Sequence, residues 1–267
     1  MSAFLSMEGI SKRFGAVVAL QNVALQVSRG AVHALIGENG AGKSTLMKIL
    51  SGSLMPDTGR MSLNQQSYAP RQPKDARIAG VSMIYQELTL APHLTVEENV
   101  TLGVERQKNG ILIHQDEQVR DALAILGHED IDPKMPVKAL GIGKQQIVEI
   151  ARSLLLRSQL IVMDEPTSSL SAEDTQNLFS AIKRLRNQGV TIIYISHFLE
   201  EIEEIADEYT VLRDGATICS GLIPETTQSA IVTSMVGRSL EEMFPRTMHS
   251  IGEPLLQVDQ LSSPPRL

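Results

Sequence analysis

The 267-residue sequence has no Trp, four Tyr and five Phe, so aromatic platforms for stacking exposed bases are scarce. Its single cysteine, Cys219, excludes an internal disulfide and a cysteine-based metal site, and fits a cytosolic compartment. Positive charge is not in excess. Lys and Arg number 24 against 31 Asp and Glu, a net charge of −7, which disfavours a general nucleic-acid binder and a polybasic membrane anchor. Long apolar runs are also missing. Segments such as 154–156 and 160–163 fall far short of the ~18 residues a membrane helix needs. The first stretch, with Glu8, Lys12 and Arg13, lacks a signal-peptide apolar region. The chain is therefore expected not to span a membrane, and a partner would have to supply any span. What is present is 42% hydrophobic residues, enough for a sizeable core.

Strand and helix patterns alternate. Residues 3–9, two segments within 17–36, 81–85, 160–163, 190–195 and a hairpin over 209–220 about Asp214-Gly215 read as strands. Lys43–Leu50, 114–126, 143–156 and 171–188 read as helices. Thr95 with Glu98 forms a capping box, and Ser171 with Asp174 caps the later helix. Met55–Gly59 is a turn by composition. The expectation is an α/β core with a mainly parallel sheet, an N-terminal antiparallel β subdomain and a helical insertion at about 91–155. Residues 255–262 (LLQVDQLS) match 4–11 (FLSMEGIS) in apolar pattern; any two amphipathic strands could do so.

GENGAGKST at 37–45 fits G-x-x-x-x-G-K-[ST] between a strand and a helix. Gly37, Gly40 and Gly42 let backbone N–H groups turn inward around phosphate oxygens, and the helix N-terminus faces the same anion. Lys43 is placed to reach phosphates and Ser44 to ligate Mg²⁺. LIVMDE at 160–165 is an apolar strand ending in two acids. Asp164 would hold the metal and Glu165 would orient or deprotonate a water. Alone, such a terminus reads as two solvated acids. Gln86 and His197 each end a further strand, where a contact with metal, water or γ-phosphate and a purely structural role stay equally open. His33, His93, His114, His128 and His249 show no metal spacing, so Mg²⁺ with nucleotide is the only metal expected. The eleven Met residues are scattered and read as core fillers.

Over residues 3–245 these motifs resemble the ATP-binding-cassette (ABC) ATPases. GENGAGKST resembles Walker A, LIVMDE Walker B, MIYQE the Q-loop, EPTSSLS the D-loop region, and LGIGKQQ at 140–146 the LSGGQ signature. The wording GENGAGKSTLMKILSG, MIYQELTLAPHLTVEENV and MVGRSLEEMFP is similar to ATP-binding subunits of bacterial monosaccharide importers, in which two cassettes are usually fused. The resemblance implies an ATPase that powers import through transmembrane permease subunits and a periplasmic sugar-binding protein, placed peripherally on the cytoplasmic face of the inner membrane. It implies ATP and Mg²⁺ as ligands, with Phe14 on the adenine. Gly37, Asn39, Gly40, Gly42, Lys43, Ser44 and Thr45 would hold the nucleotide, and Ser44, Gln86 and Asp164 the metal. Glu165, His197 and Gln86 would be catalytic. Gly141, Gly143 and Gln145 of the signature would act on the γ-phosphate of an opposite cassette. Residues 246–254 would be a linker and 255–267 the start of a second cassette.

Two positions depart from the family pattern. Gly141 stands where the signature has Ser, with Ile142 where it has Gly, and losing one donor to a developing charge costs ~10²–10³ in rate. Ser171 stands where many members have Asp. These changes, with the second cassette missing, leave an alternative: a nucleotide-gated binding module with little turnover of its own.

Overall fold

The protein is described by a computed structural model covering residues 3–105, 107–108, 111–237 and 259. β1 (Leu5–Phe14) turns back into β2 (Val17–Val27), and β3 (Val32–Ile36) runs into α1 (Lys43–Leu50). β4 (Thr58–Leu63), the short β5 (Gln66–Ser67), α2 (Pro73–Ile78) and β6 (Val81–Ile84) follow. Next come α3 (Val96–Thr101), a small ribbon of β7 (Gln107–Lys108) and β8 (Ile111–Leu112), α4 (Asp116–Leu126) and α5 (Ile142–Leu155). The order closes with β9 (Leu160–Asp164), α6 (Ala172–Asn187), β10 (Thr191–Ile195), α7 (Leu199–Ile205), β11 (Glu208–Arg213), β12 (Ala216–Leu222) and α8 (Gln228–Val236).

The N-terminal sheet is antiparallel, in the order β2-β1-β4-β5. The larger sheet runs β12-β11-β3-β10-β9-β6 and is parallel except for the edge strand β12. Its central strands are continuous apolar runs because both faces are covered. All five residues of β3 and of β10 are buried. The period-2 pleat then divides each strand between two cores. Ile161, Met163, Ile192 and Tyr194 join α3 to α6 on one face. Leu160, Val162, Ile193 and Ile195 join α1 and the inner face of the antiparallel sheet on the other. A smaller cluster lies under α7 and α8.

The predicted architecture is the observed one. Several segments differ in extent. β1 runs to Phe14, beyond the expected end at residue 9, with a register shift against β2 between Met7 and Ile10. The turn at 55–59 already contains the start of β4 at Thr58. α2, α7 and α8 are short helices whose apolar pattern is too brief for the 3.6-residue period to register. Both caps form as expected. Thr95 and Glu98 exchange hydrogen bonds at the start of α3, and Ser171 Oγ accepts from Asp174 N–H at 3.2 Å at the start of α6. His33, buried in β3, is held by Glu208 (3.0 Å) and Thr210 (2.9 Å). The expected linker at 246–254 and, except for Asp259, the expected second-cassette start at 255–267 lie outside the described residues.

Candidate functional site at the carboxyl edge of the sheet

Parallel strands end on one side of a sheet, and the residues that follow them converge there. β3 is followed by the loop 37–42 and α1. Asp164 and Glu165 close β9, Gln86 lies two residues beyond β6, and His197 two beyond β10. Four segments far apart in sequence thus meet because β3, β10, β9 and β6 are neighbours.

The loop is shaped for backbone, not side chains. Gly40 and Gly42 have φ of 85° and 101°. At Gly42 an added Cβ would lie 2.6 Å from Leu20 Cδ2 and 2.9 Å from Ala19 O, so the N-cap of α1 tolerates no side chain. The free N–H groups of α1's first turn open into a cleft of about 430 Å³. Asn39, Gly40, Gly42, Lys43, Ser44, Thr45, Gln86, Asp164 and Glu165 line it. The sequence reading missed Val17, Val18 and Ala19, which form an apolar wall of the same cleft. Val17 and Val18 are 65% and 44% exposed, which the strand-like sequence pattern at this position does not reveal. Phe14 lies at the end of β1, half exposed, with the Lys12 ammonium 6.0 Å from its ring; it is not among the lining residues.

Lys43 is buried, and its ammonium donates to the carbonyls of Gly37 (2.6 Å) and Glu38 (3.1 Å). Burial lowers its pKa, while the charges of Glu165 and Asp164 act in the opposite direction. Burial raises the pKa of Asp164, as does the charge of Glu165, with Lys43 opposing. Two adjacent carboxylates are thus held in a desolvated cleft with one ammonium. That donor set, together with the Ser44 hydroxyl and the Gln86 amide on the same wall, fits a divalent cation with oxygen ligands. Glu165 sits in the left-handed region at φ 46°. Its N–H donates to Ile195 O at 3.0 Å, which aims the side chain toward the end of β10. There His197 Nδ1 lies 3.3 Å from Glu165 Oε1, and the His197 ring lies against Phe198 with centroids 4.1 Å apart.

The signature residues are elsewhere. Gly141 is the N-cap of α5, with no side-chain cap and nothing within 4 Å of an added Cβ. Gly143 follows in the first turn, where a Cβ would collide with the Asp174 side chain. Gln145 turns back to donate to Leu140 O at 2.9 Å. Of these residues, none lines the cleft. Ser171, the other departure, is occupied locally as the cap of α6.

A family model described as "ABC transporter" matches residues 20–168, which include the loop, Gln86, the α5 N-terminus and the Asp164–Glu165 pair. Among curated proteins, the ribose import ATP-binding protein RbsA of Caldanaerobacter subterraneus subsp. tengcongensis is 48% identical over 265 residues, covering 98% of this chain and 53% of that protein. The arabinose import ATP-binding protein AraG of Mannheimia succiniciproducens is 43% identical, covering 97% and 52%. The chain spans about half the length of the curated relatives it matches. Among solved structures, an ATP-binding cassette of an ABC transporter in its ADP conformation superposes with a TM-score of 0.78 at 25% identity, over 89% of this chain and 100% of the other. A nucleotide-free cassette from an ABC transporter gives 0.76, also at 25% identity, over 88% and 96%.

Proposed function

Because the chain belongs to the ABC transporter family of ATP-binding cassettes, we propose that it binds and hydrolyses ATP to power import of a monosaccharide through a permease. The observation that carries this reading is the convergence of the Gly40–Thr45 backbone, Gln86, Asp164 and Glu165 on one cleft, with His197 against Glu165. Names of relatives that import ribose and arabinose support the sugar class. No helix of the described residues is long and apolar enough to cross a membrane, which fits peripheral attachment to a permease at the cytoplasmic face.

In this proposal residues 3–245 form one cassette, with a helical subdomain at about 91–155. Residues 246–254 are a linker and 255–267 open a second cassette, supported by their likeness in pattern to 4–11. Phe14, beside the Val17–Val18 wall, takes the adenine. The loop N–H groups and α1's positive end take the phosphates, and the Lys43 ammonium leaves its two carbonyls to meet them. Ser44, Gln86 and Asp164 would hold Mg²⁺, which when bound neutralises charge on the β- and γ-phosphates. Glu165 accepts the proton of the attacking water, and His197 steadies that carboxylate and reaches the γ-phosphate. The facing signature, Gly141, Gly143 and Gln145, serves an opposing cassette. There the backbone N–H groups at the α5 N-terminus supply the donors that Gly141's missing hydroxyl cannot. A permease and, through it, a periplasmic sugar-binding protein complete the assembly.

Mg-ATP turnover by the purified chain across a range of protein concentrations tests this, with Glu165→Gln as control. The expected result is specific activity that rises with concentration and vanishes in the variant, because two cassettes must face each other. Tight nucleotide binding with no turnover at any concentration would favour the binding module instead, the reading that Gly141's bare N-cap supports.

A further inference from the structure

Outside the nucleotide cleft, a second group of chemistry-bearing side chains meets where α3 faces the segment leading into α4. Glu97, in the first turn of α3, is 8% exposed. The Thr95–Glu98 capping box fixes that turn. The Glu97 carboxylate is aimed at the incoming chain: Oε1 accepts from Gln115 N–H at 2.5 Å, and Oε2 lies 3.0 Å from His114 Nδ1. Asp116, the first residue of α4, adjoins them, and its Oδ1 is buried with no hydrogen-bond partner. Ligand atoms of the three residues all lie within 4.8 Å of one another. Among the described residues this is the one cluster of three such side chains at that spacing. Two carboxylates therefore share a small volume with one imidazole. The nearest ion-pair partner, Lys134, stands 3.8 Å from the other Asp116 oxygen on a largely exposed side chain.

We propose that Glu97, His114 and Asp116 form a site for a divalent first-row transition ion, Zn²⁺ foremost, distinct from the nucleotide cleft. Two donors bound at ~2.0–2.2 Å in a tetrahedron sit roughly 3.3 Å apart, close to the spacing of His114 Nδ1 and Glu97 Oε2. The third needs only a small side-chain shift, and the ion would give the stranded Asp116 Oδ1 its missing partner. An imidazole beside carboxylates selects Zn²⁺ over Mg²⁺ or Ca²⁺, whose preference is for all-oxygen sets. Gln115 N–H acts as the outer hydrogen bond that orients a ligating carboxylate. A neighbouring cavity of about 400 Å³, lined by Thr95, Glu98, Glu105 and His114 among others, offers a route for the ion and room for a fourth, water ligand. Bound there, the ion would pin the start of α4 to the first turn of α3, a cross-link within the helical segment that owes nothing to ATP.

The test uses the full chain, stripped of metal by a chelator and then dialysed, without nucleotide or Mg²⁺. Titration with ZnCl₂ is followed by calorimetry, and Co²⁺ substitution by visible absorption. The expected result is one saturable Zn²⁺ per chain and tetrahedral Co²⁺ bands. His114→Ala and Asp116→Asn should each weaken binding more than about 10-fold, the least that loss of a mere outer partner costs, while Cys219→Ser leaves it unchanged. The His114 ring is 90% exposed, so its removal spares the fold. No saturable binding, a site that survives both substitutions, or one lost with Cys219 would overturn the proposal.

Discussion

At the level of single residues, Asp164 and Glu165 sit side by side in the cleft at a cost to the stability of the fold. Burial and the charge of Glu165 raise the pKa of Asp164 above its ordinary 3.8. A carboxyl whose folded pKa is raised holds its proton more tightly in the folded than in the unfolded chain. Its ionised form therefore costs stability at neutral pH, and the cost fades as pH falls through the folded value toward the unfolded one. Asp164→Asn is expected to raise the melting temperature of the nucleotide-free protein at pH 7. Its advantage over the native chain should close below about pH 4. The same variant should lose Mg-ATP turnover. Thermal unfolding over that pH range, beside an activity assay, reads both. An unchanged melting temperature at pH 7 would mean that Lys43 already compensates the charge in full.

At the scale of elements, the departures from family wording have local structural answers. Ser171 accepts a hydrogen bond from Asp174 N–H and so satisfies one of the orphan donors at the start of α6. Ser171→Ala should cost about 1 kcal/mol in urea unfolding. Ser171→Asp, the residue many family members carry, should keep the cap but still lose stability, because Ser171 Oγ–H also donates to Asp174 Oδ2 at 2.8 Å and a carboxylate there would face another carboxylate with no proton to give. Unchanged stability with Asp would show that the hydroxyl's donation to Asp174 contributes nothing beside the cap. The caps, the phosphate loop and the strand ending in Asp164–Glu165 were legible because each is a short-range pattern. α2 was not: six residues opening at Pro73 and closing before Gly80 are too few for an amphipathic period, and packing against β6 forms the helix. The Val17–Val18 wall was equally hidden. Two valines after a hairpin read as ordinary strand, and only the fold shows that they stay uncovered beside the phosphate loop.

For the molecule as a whole, a ligand that binds only the folded state stabilises it by mass action. With Glu165→Gln, so that nucleotide persists, Mg-ATP at 100 times its dissociation constant should raise the unfolding free energy by about 2.7 kcal/mol. Chelating Mg²⁺ should remove most of that gain if Asp164, Ser44 and Gln86 hold the ion. A gain independent of Mg²⁺ would place the binding energy on the loop and Lys43 alone. Denaturant titrations with ATP, with Mg-ATP and with ATP plus chelator distinguish the cases.

The sequence by itself determined the parts whose physics is local: a glycine-rich loop between strand and helix, an apolar strand ending in two acids, helix caps, and the absence of any long apolar run. Backbone conformation and hydrogen bonding over a few residues decide those features, and a linear pattern records them. The tertiary structure decided what is brought together. The order β12-β11-β3-β10-β9-β6 sets Gln86, Glu165 and His197 around a loop more than forty residues from the nearest of them. The packing of α3 against the lead into α4 joins Glu97 to His114 and Asp116, although the histidine spacing alone pointed to no metal. Both follow from burial of apolar faces, a force that is non-directional along the chain and chooses neighbours only once the whole core has formed.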